Sequence, residues 1–170
     1  IMDHGELGLF QTREQLSKFG ISSVGAGRNP EEAATPLIIK KENLRIGIYS
    51  CTENEFSIAR HGKAGANPFD PLESPDHINK LKNECDYVIV LHHGGKEQYR
   101  YPSPELQKVC RKMISKGADL VVCQHSHCIG SYEQFKNGTI IYGQGNFLFD
   151  RHDNEFYKTG LILNVKFCTG

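Results

Sequence analysis

No excess of either charge sign marks this sequence. Among 170 residues, Lys and Arg number 20 and Asp and Glu number 20, so the formal net charge is zero. A balanced chain gives no electrostatic reason to expect a nucleic-acid or anionic-membrane partner. Long apolar runs are missing too. The longest, such as residues 88–91, fall far short of the ~20 residues a membrane-spanning helix needs. The six cysteines (Cys51, Cys85, Cys110, Cys123, Cys128 and Cys168) contain no C-x-x-C pair, and several sit in apolar segments. They read as reduced, buried thiols rather than as a disulfide framework. Such thiols lean towards a reducing, cytoplasmic compartment. There is no internal repeat and no low-complexity tract, and residues 1–20 do not read as a signal peptide. The chain starts at Ile1, so an upstream segment would carry any targeting or surface-anchoring information with it.

What is present is enough for one domain, or one large piece of a domain. Apolar residues make up 38% and charged residues 24%, with 9 Phe and 7 Tyr. That composition can build a core and does not suit a disordered chain.

Residues 5–20 predict a short helix with Leu7, Phe10, Leu16 and Phe19 on its apolar face, Thr12 as an internal cap and Gly20 as its end. Residues 21–24 read as a short strand before the turn Gly25-Ala26-Gly27. Residues 35–41 and 44–51 read as a hairpin joined by Glu42-Asn43. Residues 53–70 have few apolar positions and an Asn-Pro step, the pattern of a long surface loop, and such loops are often functional. An α/β pattern follows. Residues 71–84 and 104–116 predict helices, and residues 86–91 and 119–123 predict strands. The two strands are continuously apolar, as expected for parallel strands covered on both faces. Asn137-Gly138 marks a hairpin between residues 131–135 and 139–142, and residues 161–167 read as a closing strand.

The most informative feature is where histidines fall. The first apolar strand runs into His92-His93-Gly94-Gly95. The second runs into Gln124-His125-Ser126-His127. Open α/β sheets bind ligands at the carboxyl ends of their strands. In extended backbone His125 and His127 would project to one side, and imidazole suits first-row divalent metals. Gly94 and Gly95 remove side chains beside His93, so backbone or substrate can come close. His4, His61, His77 and His152 show no such pattern and read as incidental.

These residues resemble a known family. The stretches His93-Gly94-Gly95-Lys96-Glu97, Tyr101-Pro102-Ser103-Pro104, Gly117-Ala118-Asp119-Leu120, His125-Ser126-His127 and Gly143-Gln144-Gly145-Asn146-Phe147-Leu148-Phe149-Asp150 are similar to the bacterial capsule synthesis protein CapA family. This is the poly-gamma-glutamate biosynthesis family, itself similar to calcineurin-like metallophosphatases. Asp3-His4-Gly5 and Val24-Gly25-Ala26-Gly27 fit its earlier segment. The resemblance implies a metallophosphatase-like layered α/β sandwich, of which this chain would be the C-terminal portion. The family's upstream Asp and Asn-His motifs are absent.

Carried over residue by residue, the resemblance implies His93, His125 and His127 as metal ligands. Glu97 is implied as a catalytic or rim group, and Asn146, Gly94 and Gly95 as substrate-side residues. His92 is a candidate for proton transfer. The implied cofactor is a divalent ion, Mn, Fe or Zn. A pair of ions is expected only if upstream ligands are supplied. The implied partner is an anionic polymer or a small phosphorylated or peptidic substrate. The implied function is a metal-dependent, hydrolase-type site in capsule biosynthesis. The alternative is a non-catalytic polymer-binding or scaffolding component.

Overall fold

The computed structural model describes residues 2–149 and 155–167. Asp150, His152 and Cys168 lie outside them. The first helix, α1, spans Gly5–Lys18. It stops because Gly20 takes φ +69°. That turn lets Gly20 N–H donate to Ser17 O at 3.0 Å and Ile21 N–H to Leu16 O at 2.9 Å, the paired bonds of a glycine-terminated helix. Thr12 Oγ1 donates back to Gly8 O at 2.8 Å. Residues 21–24 form no strand. Pairing begins instead at β1 (Ala26–Gly27), where a turn was expected. A short helix α2 (Pro30–Ala33) follows, capped by Asn29 Oδ1, which accepts from Glu32 N–H at 2.8 Å.

The hairpin β2 (Leu37–Lys41) and β3 (Leu44–Thr52) is antiparallel as expected, with Lys41 opposite Leu44. Residues 53–70 are not a simple surface loop. They include β4 (Gly65–Ala66), paired with β1, and they bury Ala59, Ala64, Ala66 and Asn67. Small side chains let backbone pack on backbone there. A Cβ on Gly65 would lie 2.4 Å from the carbonyl carbon of Ile58. Scarcity of large apolar residues therefore signals close packing in this segment, not solvation.

The remaining elements are α3 (Glu73–Glu84), β5 (Tyr87–His93), α4 (Pro104–Ser115), β6 (Leu120–Gln124), β7 (Tyr132–Phe135) and β8 (Gly138–Ile141). Six strands form one sheet in the order β2-β3-β5-β6-β8-β7. The inner four are parallel, and β2 and β7 are antiparallel edges. β5-α4-β6 is the crossover the sequence predicts. The β7–β8 turn is Lys136-Asn137, with Lys136 at φ +52°. Gly138 sits within the strand. A Cβ there would lie 2.6 Å from Ile114 Cδ1, so its glycine serves packing under α4.

The core lies on one face of the sheet. Val88, Val90 and Val121 are fully buried there, together with Ile78 of α3 and Met113 of α4. The other face of β5 (Tyr87, Ile89 and Leu91) is only half-buried. Cover on both faces was the expectation. Residues 161–167 form no strand. Leu161 N–H donates to Gln144 O at 2.8 Å, and Phe167 packs its ring 4.7 Å from that of Tyr87. The segment crosses this face without joining the sheet. The five described cysteines are all buried and unpaired by disulfide.

Candidate metal centre

β5 and β6 end side by side, with His93 opposite Gln124. The next residue after β6 is His125, so both histidine motifs emerge at one edge. The ring centroids of His93 and His125 are 5.1 Å apart, and those of His125 and His127 are 6.0 Å apart. The H-x-H segment is not extended. His125 has φ +97° and His127 φ +53°. Such conformations cost roughly 1–3 kcal/mol each for non-glycine residues and cluster at functional sites. Two hydrogen bonds hold the strained loop. Gln98 N–H donates to Ser126 O at 2.7 Å, and Ser126 Oγ donates to Cys128 O at 3.0 Å.

Glu97, His125 and His127 offer ligand atoms that all lie within 4.8 Å of one another. The Glu97 carboxylate reaches to 4.0 Å from His125 Nε2. Among the described residues this group can hold a single metal ion. One carboxylate and two imidazoles suit first-row divalent ions. Three protein ligands with open positions remaining is the arrangement of catalytic zinc sites.

Asn146 completes the setting. Its Oδ1 stands 2.8 Å from His127 Nδ1, and its Nδ2 donates to Tyr157 O at 3.2 Å. With the amide so fixed, Nδ1 of His127 carries the proton and Nε2 keeps its lone pair, the usual way a ligating histidine is oriented. Asn146→Ala is expected to weaken Co2+ binding by ~10–100-fold, as loss of such a partner does. Asn146→Asp, which keeps the acceptor for His127 but loses the donor to Tyr157 O, is expected to recover only part of that loss. Titration of the Co2+ absorption bands checks both.

The other sequence candidates surround this group. His93 lies one ring further out, against His125. Its pKa is pushed down to about 4, chiefly by burial and then by the neighbouring His125, His92 and His127, so it is neutral near pH 7. His92 points to the opposite face of β5 and is 1% exposed. Its Nδ1 meets Cys51 Sγ at 3.5 Å, and its ring packs on Phe69. Gly95 takes φ +97°, a conformation glycine adopts without strain, and Gly94 adjoins the Glu53 side chain. Of the histidines set aside, His77 bonds Tyr49 Oη through Nδ1 at 3.2 Å, and His61 is exposed.

Two residues escaped sequence reasoning. Phe56 stands edge-on to both His93 and His125, at 4.6 and 4.8 Å between centroids. Glu53 sits between His92 and Gly95, and its carboxyl is held below the usual range, first by the His92 imidazole and then by the Gly95 amide. A signal for both existed. β3 is parallel to β5, so the residues just after it must reach the same carboxyl edge. A cleft of about 680 Å³ lies beside α3, lined by Phe69, Ser74 and His77 among others. None of His92, His93, His125 and His127 lines it.

The fold is a mixed-sheet α/β domain with a Glu/His cluster at the carboxyl edge of its parallel strands, the edge at which open α/β sheets bind ligands. More particularly, the chain belongs to the family of the bacterial capsule synthesis protein PGA_cap, whose profile matches residues 1–151. It is 28% identical over 155 residues to capsule biosynthesis protein CapA of Bacillus anthracis, covering 88% of this chain and 38% of that protein. It is 29% identical over 154 residues to PGA biosynthesis protein CapA of Bacillus subtilis (strain 168), covering 88% and 40%. The chain thus spans about two fifths of the length of these curated relatives. Among solved structures, a putative 5'-nucleotidase of Staphylococcus aureus in complex with alpha-ketoglutarate aligns with a TM-score of 0.48 at 17% identity, over 74% of this chain and 27% of that one. A phosphatase from Mycoplasma pneumoniae aligns with a TM-score of 0.45 at 20% identity, over 65% and 35%.

Proposed function

We propose that this chain carries the metal-holding edge of a hydrolase-type centre in capsule polymer biosynthesis. The observation that carries this reading is the convergence of Glu97, His125 and His127, with His127 oriented by Asn146. When bound, a divalent ion supplies Lewis-acid polarisation and a low-pKa coordinated water. Glu97, His125 and His127 would hold it, with Zn, Mn or Fe as the ions this donor set accepts. His93, neutral and packed against His125, would offer a further ligand at this edge. Phe56 keeps water from one side of His93 and His125. His92, walled in by Cys51 and Phe69, would support this edge without contacting substrate, and the open backbone at Gly95 and the amide of Asn146 would border the substrate.

The relatives' names point to capsule and PGA biosynthesis, and the substrate on this reading is an anionic polymer such as poly-gamma-glutamate or a small phosphorylated or peptidic molecule. The half-covered face of Tyr87, Ile89 and Leu91 supports reading the chain as part of a larger layered domain, in which further ligands would be supplied. One experiment separates catalysis from a scaffolding role. Metal content is measured alongside turnover of a generic phosphodiester and of poly-gamma-glutamate, using the full-length protein. Bound metal with turnover, lost on chelation and restored by Zn2+ or Mn2+, supports the centre. Bound metal without turnover of either substrate supports the polymer-binding role, and no bound metal overturns both metal readings.

A further inference from the structure

We infer that Glu53 is a positioning residue of this centre, and that Gly94 is glycine in order to admit its carboxylate. The inference rests on the reading of Glu97, His125 and His127 as metal ligands. Glu53 grips both ends of the turn after β5. Its backbone N–H donates to His93 O at 3.0 Å, an oxygen that also accepts from Thr52 Oγ1 at 3.0 Å. Its Oε1 accepts from Gly95 N–H at 3.1 Å. The same oxygen faces His92 Nε2 at 3.8 Å, just beyond hydrogen-bond length. That nitrogen is buried and has no hydrogen-bond partner among the described residues. A buried polar atom in this state calls for a partner, and Glu53 is the acceptor aimed at it. On the other side of the ring, the Cys51 thiol can donate to Nδ1 at 3.5 Å, which leaves the proton on Nε2, directed at Glu53.

Gly94 supplies an independent observation. Its φ lies outside the left-handed region, so its backbone does not need glycine. A Cβ there would lie 2.5 Å from Glu53 Cδ and 2.6 Å from Cγ and Oε1. The three nearest obstacles are all Glu53 side-chain atoms. The pair is therefore matched: the missing side chain at position 94 is the space the carboxylate occupies. Glu53 also begins the segment that ends in Phe56, whose ring rests on His93 and His125. Releasing Glu53 would loosen that aromatic wall and the turn that carries His93 together.

The test is a double-mutant cycle on the full chain: Glu53→Ala, Gly94→Ala, the double variant and Glu53→Gln. The readouts are Co2+ affinity from absorption titration, imidazole NMR signals of the metal-free protein, and melting temperature. Each single alanine variant is expected to weaken Co2+ binding by ~10–100-fold. The double variant is expected to be no weaker than Glu53→Ala alone, because the new methyl group then has nothing to displace. Glu53→Gln, which keeps an acceptor for Gly95 N–H, is expected to recover part of the loss. Additive losses in the cycle would overturn the inference. So would single variants that melt earlier while binding Co2+ as wild type does. If wild type takes up no Co2+, the metal reading itself falls, and the metal-free spectra still decide on Glu53. Shifted His93 and His125 ring signals in both single variants support positioning, and unmoved signals refute it.

Discussion

Replacing His125 or His127 by alanine is expected to abolish metal uptake while leaving the fold intact. Each offers one of three ligand atoms within 4.8 Å of the others, so its loss should exceed the ~10–100-fold effect of removing an orienting partner. Neither is part of the apolar cluster beneath α3 and α4, and far-UV circular dichroism of the metal-free variants should match wild type. A sharper test uses the backbone. His125 stands at φ +97°, where a side chain is strained and glycine is not. Metal-free His125→Gly should therefore melt no lower than metal-free wild type while binding no Co2+. A residue kept in a conformation that costs stability, and whose removal costs only metal binding, is held there for the site. His61→Ala, in the exposed loop, should change neither quantity. A His125→Gly protein that still bound Co2+ with wild-type affinity would remove His125 from the centre.

The sequence makes the carboxyl edge of the sheet legible because two kinds of signal coincide there. Continuous apolar runs at residues 86–91 and 119–123 mark parallel strands, and histidines directly after both mark what those strands carry. Their adjacency follows from the crossover through α4 and needs no coordinates. What stays hidden depends on conformation and packing. Alternation predicts His125 and His127 on one side of extended backbone. They converge instead through two left-handed residues, and nothing in the string His125-Ser126-His127 announces that. Asn137-Gly138 resembles a turn, yet Gly138 is small because Ile114 lies over it. Gly94 poses the same ambiguity, and only the position of Glu53, some forty residues earlier, resolves it. Residues 53–70 mislead most. Their lack of large apolar side chains suggests solvent, whereas Ala59, Ala64 and Ala66 are buried by backbone contact. Segment 161–167 shows the reverse error. Its apolar residues suggest a strand, yet beyond Leu161 it covers a sheet face without entering the ladder.

Met113→Ala should be among the most destabilising single changes, and the metal centre should partly offset it. Met113 is 0% exposed in α4, within the cluster that includes Val88, Val90 and Val121 of the strands leading to the histidines. Truncating a buried methionine costs about 2–5 kcal/mol in transfer and cavity terms. For a domain of this size each kcal/mol lowers the melting temperature by roughly 2–4 °C. A drop on the order of 5–15 °C in the metal-free protein, read by calorimetry, is the expected result. The damage lies beneath the sheet rather than at its edge, so the ligands keep their geometry as long as the protein is folded. Binding to the folded state alone adds about 2.7 kcal/mol of stability when the free ion is at a hundred times its Kd. Zn2+ at that level should therefore restore much of the loss in Met113→Ala and none of it in Met113→Ala/His127→Ala. Equal rescue of both proteins would mean that the ion stabilises the chain somewhere other than at His127, and the assignment of the centre would have to be abandoned.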